Sequence, residues 1–214
     1  MKLFPLYILA LCALSCQGQP VQHPDGPVHD VPTTVTAPAS VVSQPSLPTF
    51  QASWGLKLEL YNRMNQWLQS RGNATNYVGI VDFSQHSSKK RFYLFDLKAG
   101  TVERHNVSHG SGSDRNNDGL ADTFSNQAGS NASSLGMAKT AETYNGKHGY
   151  SLRLDGLEST NSNIRSRDIV MHSATYVHDG GTTGRSWGCT ALDPSIYISV
   201  IDRLKGGSFL LLGN

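Results

Sequence analysis

Tyr77-Val78-Gly79-Ile80-Val81-Asp82-Phe83 is an apolar run of strand length, and two more follow it closely: Arg91-Phe92-Tyr93-Leu94-Phe95-Asp96-Leu97 and Val102-Glu103-Arg104-His105-Asn106-Val107. Such runs, rich in β-branched and aromatic residues and bounded by turn formers, read as strands. Lys98-Ala99-Gly100 is the turn between the second and third. Further short runs continue the pattern at Leu135–Thr140, Ser151–Leu154, Ile169–Met171 and Ser208–Leu212, with Asn145-Gly146 as a turn signal. Trp54–Gln69 differs. Its apolar residues Leu56, Leu60, Tyr61, Met64, Trp67 and Leu68 line one face of a helix that Arg71-Gly72-Asn73 ends. Ser195–Leu204 reads as a second helix, opened by Asp193-Pro194 and closed by Gly206-Gly207. Many short strands with two helices imply a mainly β domain, a sandwich or a partly open barrel.

The segments before the domain have other compositions. Met1-Lys2-Leu3 carries one positive charge, and the apolar stretch Phe4–Leu14 is broken only by Pro5. This is a secretory signal, residues 1–16, too short to span a bilayer. Ala13-Leu14-Ser15-Cys16 resembles a bacterial lipoprotein processing site, which leaves two routes open: lipidation at Cys16, with membrane anchoring, or ordinary cleavage nearby. Either exports the protein to the periplasm or cell envelope. Residues 17–50 hold seven of the nine prolines among Ser, Thr, Val and Gln, and read as a partly extended tether. Residues 51–214 suit one globular domain with a sizeable core. A net charge of +2 gives no reason to expect a nucleic-acid partner.

Of the three cysteines, Cys12 and Cys16 lie in the leader, so the domain keeps one, Cys189. No disulfide framework is available to it, and an unpaired thiol is a liability in an oxidising compartment unless it is used. Cys189 ends the turn Arg185-Ser186-Trp187-Gly188-Cys189, seventeen residues after His172 in Met171-His172-Ser173-Ala174, across the loop Asp179-Gly180-Gly181-Thr182-Thr183-Gly184. A thiol attacks as thiolate, and an imidazole brought beside it can accept the proton. Gly188 leaves the backbone open to a substrate carbonyl, so the nearby amides can receive an oxyanion. The pattern points to cysteine acyl transfer; the alternative is a small buried thiol and a hydrogen-bonded histidine.

His172-Ser173-Ala174 followed by Ser186-Trp187-Gly188-Cys189 resembles the active site of the YkuD-like L,D-transpeptidases, in particular the murein L,D-transpeptidase catalytic-domain family. Also similar are Phe124-Ser125-Asn126, Gly129–Gly136, Gly146–Leu157 and Arg185–Ala191, so the likeness covers about Tyr77 to the C-terminus. Two positions depart from the wider pattern. Trp187 stands for the usual His of Ser-His-Gly-Cys, and Thr190-Ala191 replaces a hydrophobic residue followed by Arg or Asn. The resemblance implies a β-sandwich or partly open barrel with an N-terminal helix and a short helix after the cysteine. It implies that Cys189 attacks a stem tetrapeptide of peptidoglycan, that His172 is the general base, that the Ser173 backbone carbonyl orients His172, and that Gly188 and Cys189 amides hold the oxyanion. The acceptor stays open: an amine, as in transpeptidation, or water, as in an L,D-carboxypeptidase. A catalytically weak peptidoglycan-binding module is the non-enzymatic alternative. No cofactor is required.

The same resemblance places Arg185, Ser186, Trp187, His148, Tyr150 and Arg153 near substrate. For Arg153 the choice is between binding a carboxylate and belonging to a structural network. Asp114-Arg115-Asn116-Asn117-Asp118-Gly119-Leu120-Ala121-Asp122 matches the first nine positions of a calcium loop, with Asp114, Asn116, Asp118 and Asp122 as candidate ligands. Ser125 sits where the bidentate Glu would be, and a solvated turn is the alternative to a structural calcium.

Overall fold

The computed structural model describes residues 45–214. The leader, Cys16 and the tether as far as residue 44 lie outside the described residues. Helix α1 (Leu58–Arg71) precedes strands β1 (Tyr77–Asp82), β2 (Phe92–Asp96), β3 (Thr101–His105), β4 (Gly136–Gly146), β5 (Gly149–Gly156), β6 (Val170–Ser173) and β7 (Thr190–Leu192); helix α2 (Tyr197–Leu204) and strand β8 (Phe209–Gly213) follow. The eight strands form one mainly antiparallel sheet in the order β3-β2-β1-β8-β4-β5-β6-β7. The pairs β1–β8 and β6–β7 are parallel.

The continuous apolar runs have a physical reason. Their alternate side chains enter two different cores, so neither face can be polar. Val78 and Ile80 of β1, Tyr93 and Phe95 of β2, and Leu211 of β8 pack with Leu60, Met64 and Leu68 of α1. Val81, Phe92, Leu94, Leu210 and Leu212, one residue out of phase, pack with Leu152, Met171, Leu192 and the α2 residues Val200, Ile201 and Leu204. Strand β3, at the end of the order, has exposed positions instead.

The chain after β3 then reaches the opposite end of that order. The Ser108 N–H donates to the Ala191 carbonyl at 3.0 Å, and Ser186 and Ser111 continue the contact through His109 O and Ser186 O, both at 2.8 Å. The sheet is thereby nearly closed, a barrel-like form.

Three sequence expectations need correction. Leu47–Phe50 do not belong to a tether: Leu47 is buried, its N–H donates to Asn65 Oδ1 at 3.1 Å, and Tyr61 Oη donates to the Pro48 carbonyl at 3.0 Å. Phe50 meets Trp54 and Tyr61 edge-on. The Asn145-Gly146 pair is not the turn but the last rung of the β4–β5 ladder, pairing with Tyr150 and Gly149, so the turn is Lys147-His148. Strand β7, three residues long, was absent from the sequence reading.

Behind the seam lies a buried ionic chain. The Arg91 guanidinium donates to His109 Nδ1 at 2.7 Å, and His109 Nε2 lies 3.1 Å from Asp114 Oδ2. Arginine can only donate, so Nδ1 accepts, Nε2–H donates to the carboxylate, and His109 is neutral. All three side chains are at most 1% exposed. Burial, then the Arg91 charge, lowers the His109 pKa to about 4. An unfolded His109 takes up its proton near 6.5, so the unfolded state binds more protons between the two values and stability falls as pH drops from about 6.5 to 4. Thermal melts across that window are expected to show this loss, on the order of 3 kcal/mol from this residue. His109→Asn is expected to melt lower at neutral pH and to have a flatter slope; an unchanged slope refutes the assignment.

Candidate active site

Parallel pairing of β6 with β7 brings the two halves of the sequence motif together. His172 lies opposite Ala191 and Met171 opposite Thr190. Cys189 immediately precedes β7, two residues before Ala191, so His172 and Cys189 are diagonal neighbours across one strand pair. His172 is 3% exposed. Its Nδ1–H donates to the Ser173 carbonyl at 2.8 Å, leaving Nε2 as the nitrogen without a proton. Burial is the main cause that lowers the His172 pKa, and His148 adds to it.

Cys189 is half-buried and is the one free cysteine among the described residues. Its thiol donates to the Asp168 carbonyl at 3.7 Å and not to His172. Burial pushes the thiol pKa up; the Val170 N–H and Arg167 oppose this, and Asp168 adds to it. With the thiol raised and the imidazole lowered, the resting pair is uncharged, thiol beside imidazole.

The turn before Cys189 is held by its own hydrogen bonds. Ser186 Oγ donates to the Cys189 carbonyl at 2.8 Å and accepts the Gly188 N–H at 3.1 Å. Gly188 has φ +114, and a Cβ there would lie 2.7 Å from Ile169 Cδ1 and 2.8 Å from the Ala132 carbonyl oxygen. Glycine is therefore required by space and by backbone. Its amide, engaged with Ser186, is not free for the oxyanion role expected of it; that leaves the Cys189 amide.

Of the expected substrate contacts, some gather at the site and some do not. The His148 ring, from the β4–β5 turn, stacks on His172 with centroids 4.4 Å apart and planes 25° apart. Trp187 is 75% exposed beside the turn. Ser186 is buried and holds the turn. Arg185 donates to the Asp114 carbonyl, tying the turn to the Asp-rich loop. Tyr150 points elsewhere, donating to Asp202 of α2 at 2.8 Å. Arg153 lies opposite Val170, donates to Asp168 Oδ1 at 3.2 Å, and covers the Tyr144 ring at 4.4 Å. Its partners are carboxylates of its own chain, which supports the network reading.

The candidate calcium loop is closed on its own hydrogen bonds. Asp114 turns inward, its carboxylate accepting from His109, the Asp118 N–H at 3.0 Å and the Gly119 N–H at 3.1 Å. Burial raises its pKa, but these donors together hold it below the ordinary value. Asn116 donates to Asp118, whose other oxygen accepts the Leu120 N–H. These are Asx-turn bonds, and no cluster of metal-ligating side chains is formed among the described residues.

Residues missed in the sequence complete the surroundings. Arg167 donates to the Ser125 and Ala132 carbonyls at 2.6 and 2.7 Å and to Ser134 Oγ at 2.7 Å, pinning the 125–134 segment beside the 186–189 turn. Tyr176 is near enough that burial and then Cys189 raise its pKa. Neither stands in a motif that singles it out; only the folded contacts do.

The domain is mainly β, with His172 on β6 and Cys189 just before β7, its parallel partner. The chain belongs to the L,D-transpeptidase catalytic-domain family, whose model matches residues 53–212. No curated protein matches it. Among solved structures it is similar to an L,D-transpeptidase from Mycobacterium smegmatis, at 14% identity over 65% of this chain and 59% of that one, with a TM-score of 0.40. It is also similar to L,D-transpeptidase 1 from Mycobacterium tuberculosis, at 15% identity over 64% and 62%, TM-score 0.37. A third is the L,D-transpeptidase of Xylanimonas cellulosilytica, at 16% identity over 70% and 69%, TM-score 0.37. The chain thus spans about three-fifths of the length of the first two.

Two outcomes follow from this geometry. Iodoacetamide alkylation of Cys189 is expected to be slow at neutral pH and to rise only above the ordinary thiol range, because burial opposes the thiolate; a fast plateau near pH 7 contradicts a neutral pair. Melting curves with calcium and with chelator are expected to coincide, and a calcium-dependent rise would restore the metal reading.

Proposed function

We propose that this protein is an exported peptidoglycan L,D-transpeptidase working through a cysteinyl acyl-enzyme, with Cys16 as a candidate lipid anchor. The observation that carries the reading is His172. It is buried, neutral and fixed as one tautomer by the Ser173 carbonyl, and it stands on the strand paired with the one that Cys189 precedes. In that reading Cys189 Sγ attacks the carbonyl of the third residue of a stem tetrapeptide. His172 Nε2 takes the thiol proton as the C–S bond forms.

Collapse of the tetrahedral intermediate breaks the peptide bond, and His172 returns the proton to the departing D-alanine amine. The Cys189 amide is the remaining backbone donor for the oxyanion. An incoming amine then attacks the thioester and restores the thiol. The neutral resting pair suits this sequence, because proton transfer is coupled to attack rather than completed beforehand.

Mass spectrometry of the protein incubated with disaccharide-tetrapeptide tests the proposal. The expected result is an adduct on Cys189 with loss of D-alanine, and no adduct on Cys189→Ala; turnover by that variant equal to wild type sinks it. His172→Ala is expected to lower the rate by on the order of 10²–10⁴-fold, as for the loss of a general base.

A further inference from the structure

Hydrogen bonding fixes only one atom of the His172 ring. The bond from Nδ1 to the Ser173 carbonyl sets the tautomer, yet the ring plane can still swing about that contact. The constraint on the plane comes from another part of the chain. Strand β5 pairs with β6 through Leu152–Met171 and Arg153–Val170, antiparallel. Its early residues therefore run alongside His172 and Ser173, and the Lys147-His148 turn lies just beyond. That is how an exposed turn residue arrives face to face with a buried one, 4.4 Å between centroids.

We propose that His148 is a positioning residue for His172, stacking on its ring so that Nε2 keeps a single direction; this rests on His172 being the base of the reaction proposed above. Histidine suits the place in two ways. It offers a flat aromatic face of the right size. When cationic it also repels a second positive charge on the stacked ring, which favours neutral His172. Arg167, Asp168 and Tyr176 interact with Cys189, before β7, and Arg153 of β5 lies opposite Val170. Arg153 is paired with Asp168, and Arg167 is engaged by the 125–134 segment. His148 is the group whose charge acts directly on His172.

The test is the pH titration of the His172 ring ¹⁵N signals in wild type, His148→Ala and His148→Phe, with steady-state turnover of disaccharide-tetrapeptide beside it. Wild type is expected to show one tautomer, protonated at Nδ1, titrating below the ordinary 6.5. His148→Ala is expected to keep that tautomer, which the Ser173 carbonyl holds, and to show a midpoint moved up toward 6.5. Its kcat is expected to fall about tenfold with KM nearly unchanged, as for a misaligned base. His148→Phe keeps the stacked face without the charge, and is expected to restore most of kcat.

An unchanged midpoint or an unchanged kcat in His148→Ala overturns the proposal, as does a Phe variant as impaired as the Ala variant. If the ring signals respond as expected while no form turns over the tetrapeptide, the positioning is supported and the proposed function is what fails. A merely structural role for His148 would lower melting temperature without moving the His172 midpoint.

Discussion

One seam of hydrogen bonds governs this structure: the contact of residues 108–111 with the strand and turn at 186–191. Ser108 bonds to Ala191 through both its N–H and its Oγ, at 3.0 and 3.1 Å. Gly110 sits so close to the 131–132 backbone and to Gly188 Cα that a Cβ would approach within 2.2 Å of the Asn131 carbonyl oxygen. Without the seam β7, three residues long, would be an edge strand with one partner, too short to hold its place. The seam turns it into an interior strand and fixes the backbone of Cys189. Asp114, His109 and Arg91 stand directly behind it, and they are paired with one another and with the backbone of Gln85, Val107, Asp118 and Gly119.

That arrangement accounts for the chemistry of the resting site. Burial acts on both reactive groups in the direction of neutrality, raising the thiol and lowering the imidazole. A thiolate–imidazolium pair needs a medium that supports two charges, and this one supports them poorly. The compensation is placement. Parallel strands set the two residues in fixed relation, and the Ser173 carbonyl fixes the His172 tautomer, while the resting thiol donates to the Asp168 carbonyl.

Much of the fold was legible because the periodicity is unusual. The unbroken run of Phe209-Leu210-Leu211-Leu212 and its counterparts in β1 and β2 read as strands from their length and flanking turns, and the two cores show that both of their faces are buried. Strand β7 escaped because Thr190-Ala191-Leu192 is too short to carry a period, and its strand character is conferred by the partners on either side. His172 and Cys189 were legible from residue type and spacing. Arg167 and Tyr176 were not, since what distinguishes them is proximity alone. The Asp114 loop is ambiguous in sequence for a definable reason: Asx side chains that accept backbone N–H groups produce the same spacing as those that ligate an ion. Only the inward turn of Asp114 toward His109 tells them apart.

The departure at Trp187 can now be located physically. Every atom that shapes the turn belongs to its neighbours: Ser186 supplies the hydroxyl that bridges Gly188 N–H and Cys189 O, and Gly188 supplies the left-handed backbone and the missing Cβ. Trp187 contributes neither, and its side chain projects into solvent. A change of residue type there leaves the hydrogen bonds that orient Cys189 untouched, whereas a change at Ser186 or Gly188 breaks them. Shape is thus fixed on both sides of a position whose side chain is exposed, and the identity of that residue bears on the solvent face of the turn rather than on how Cys189 is held.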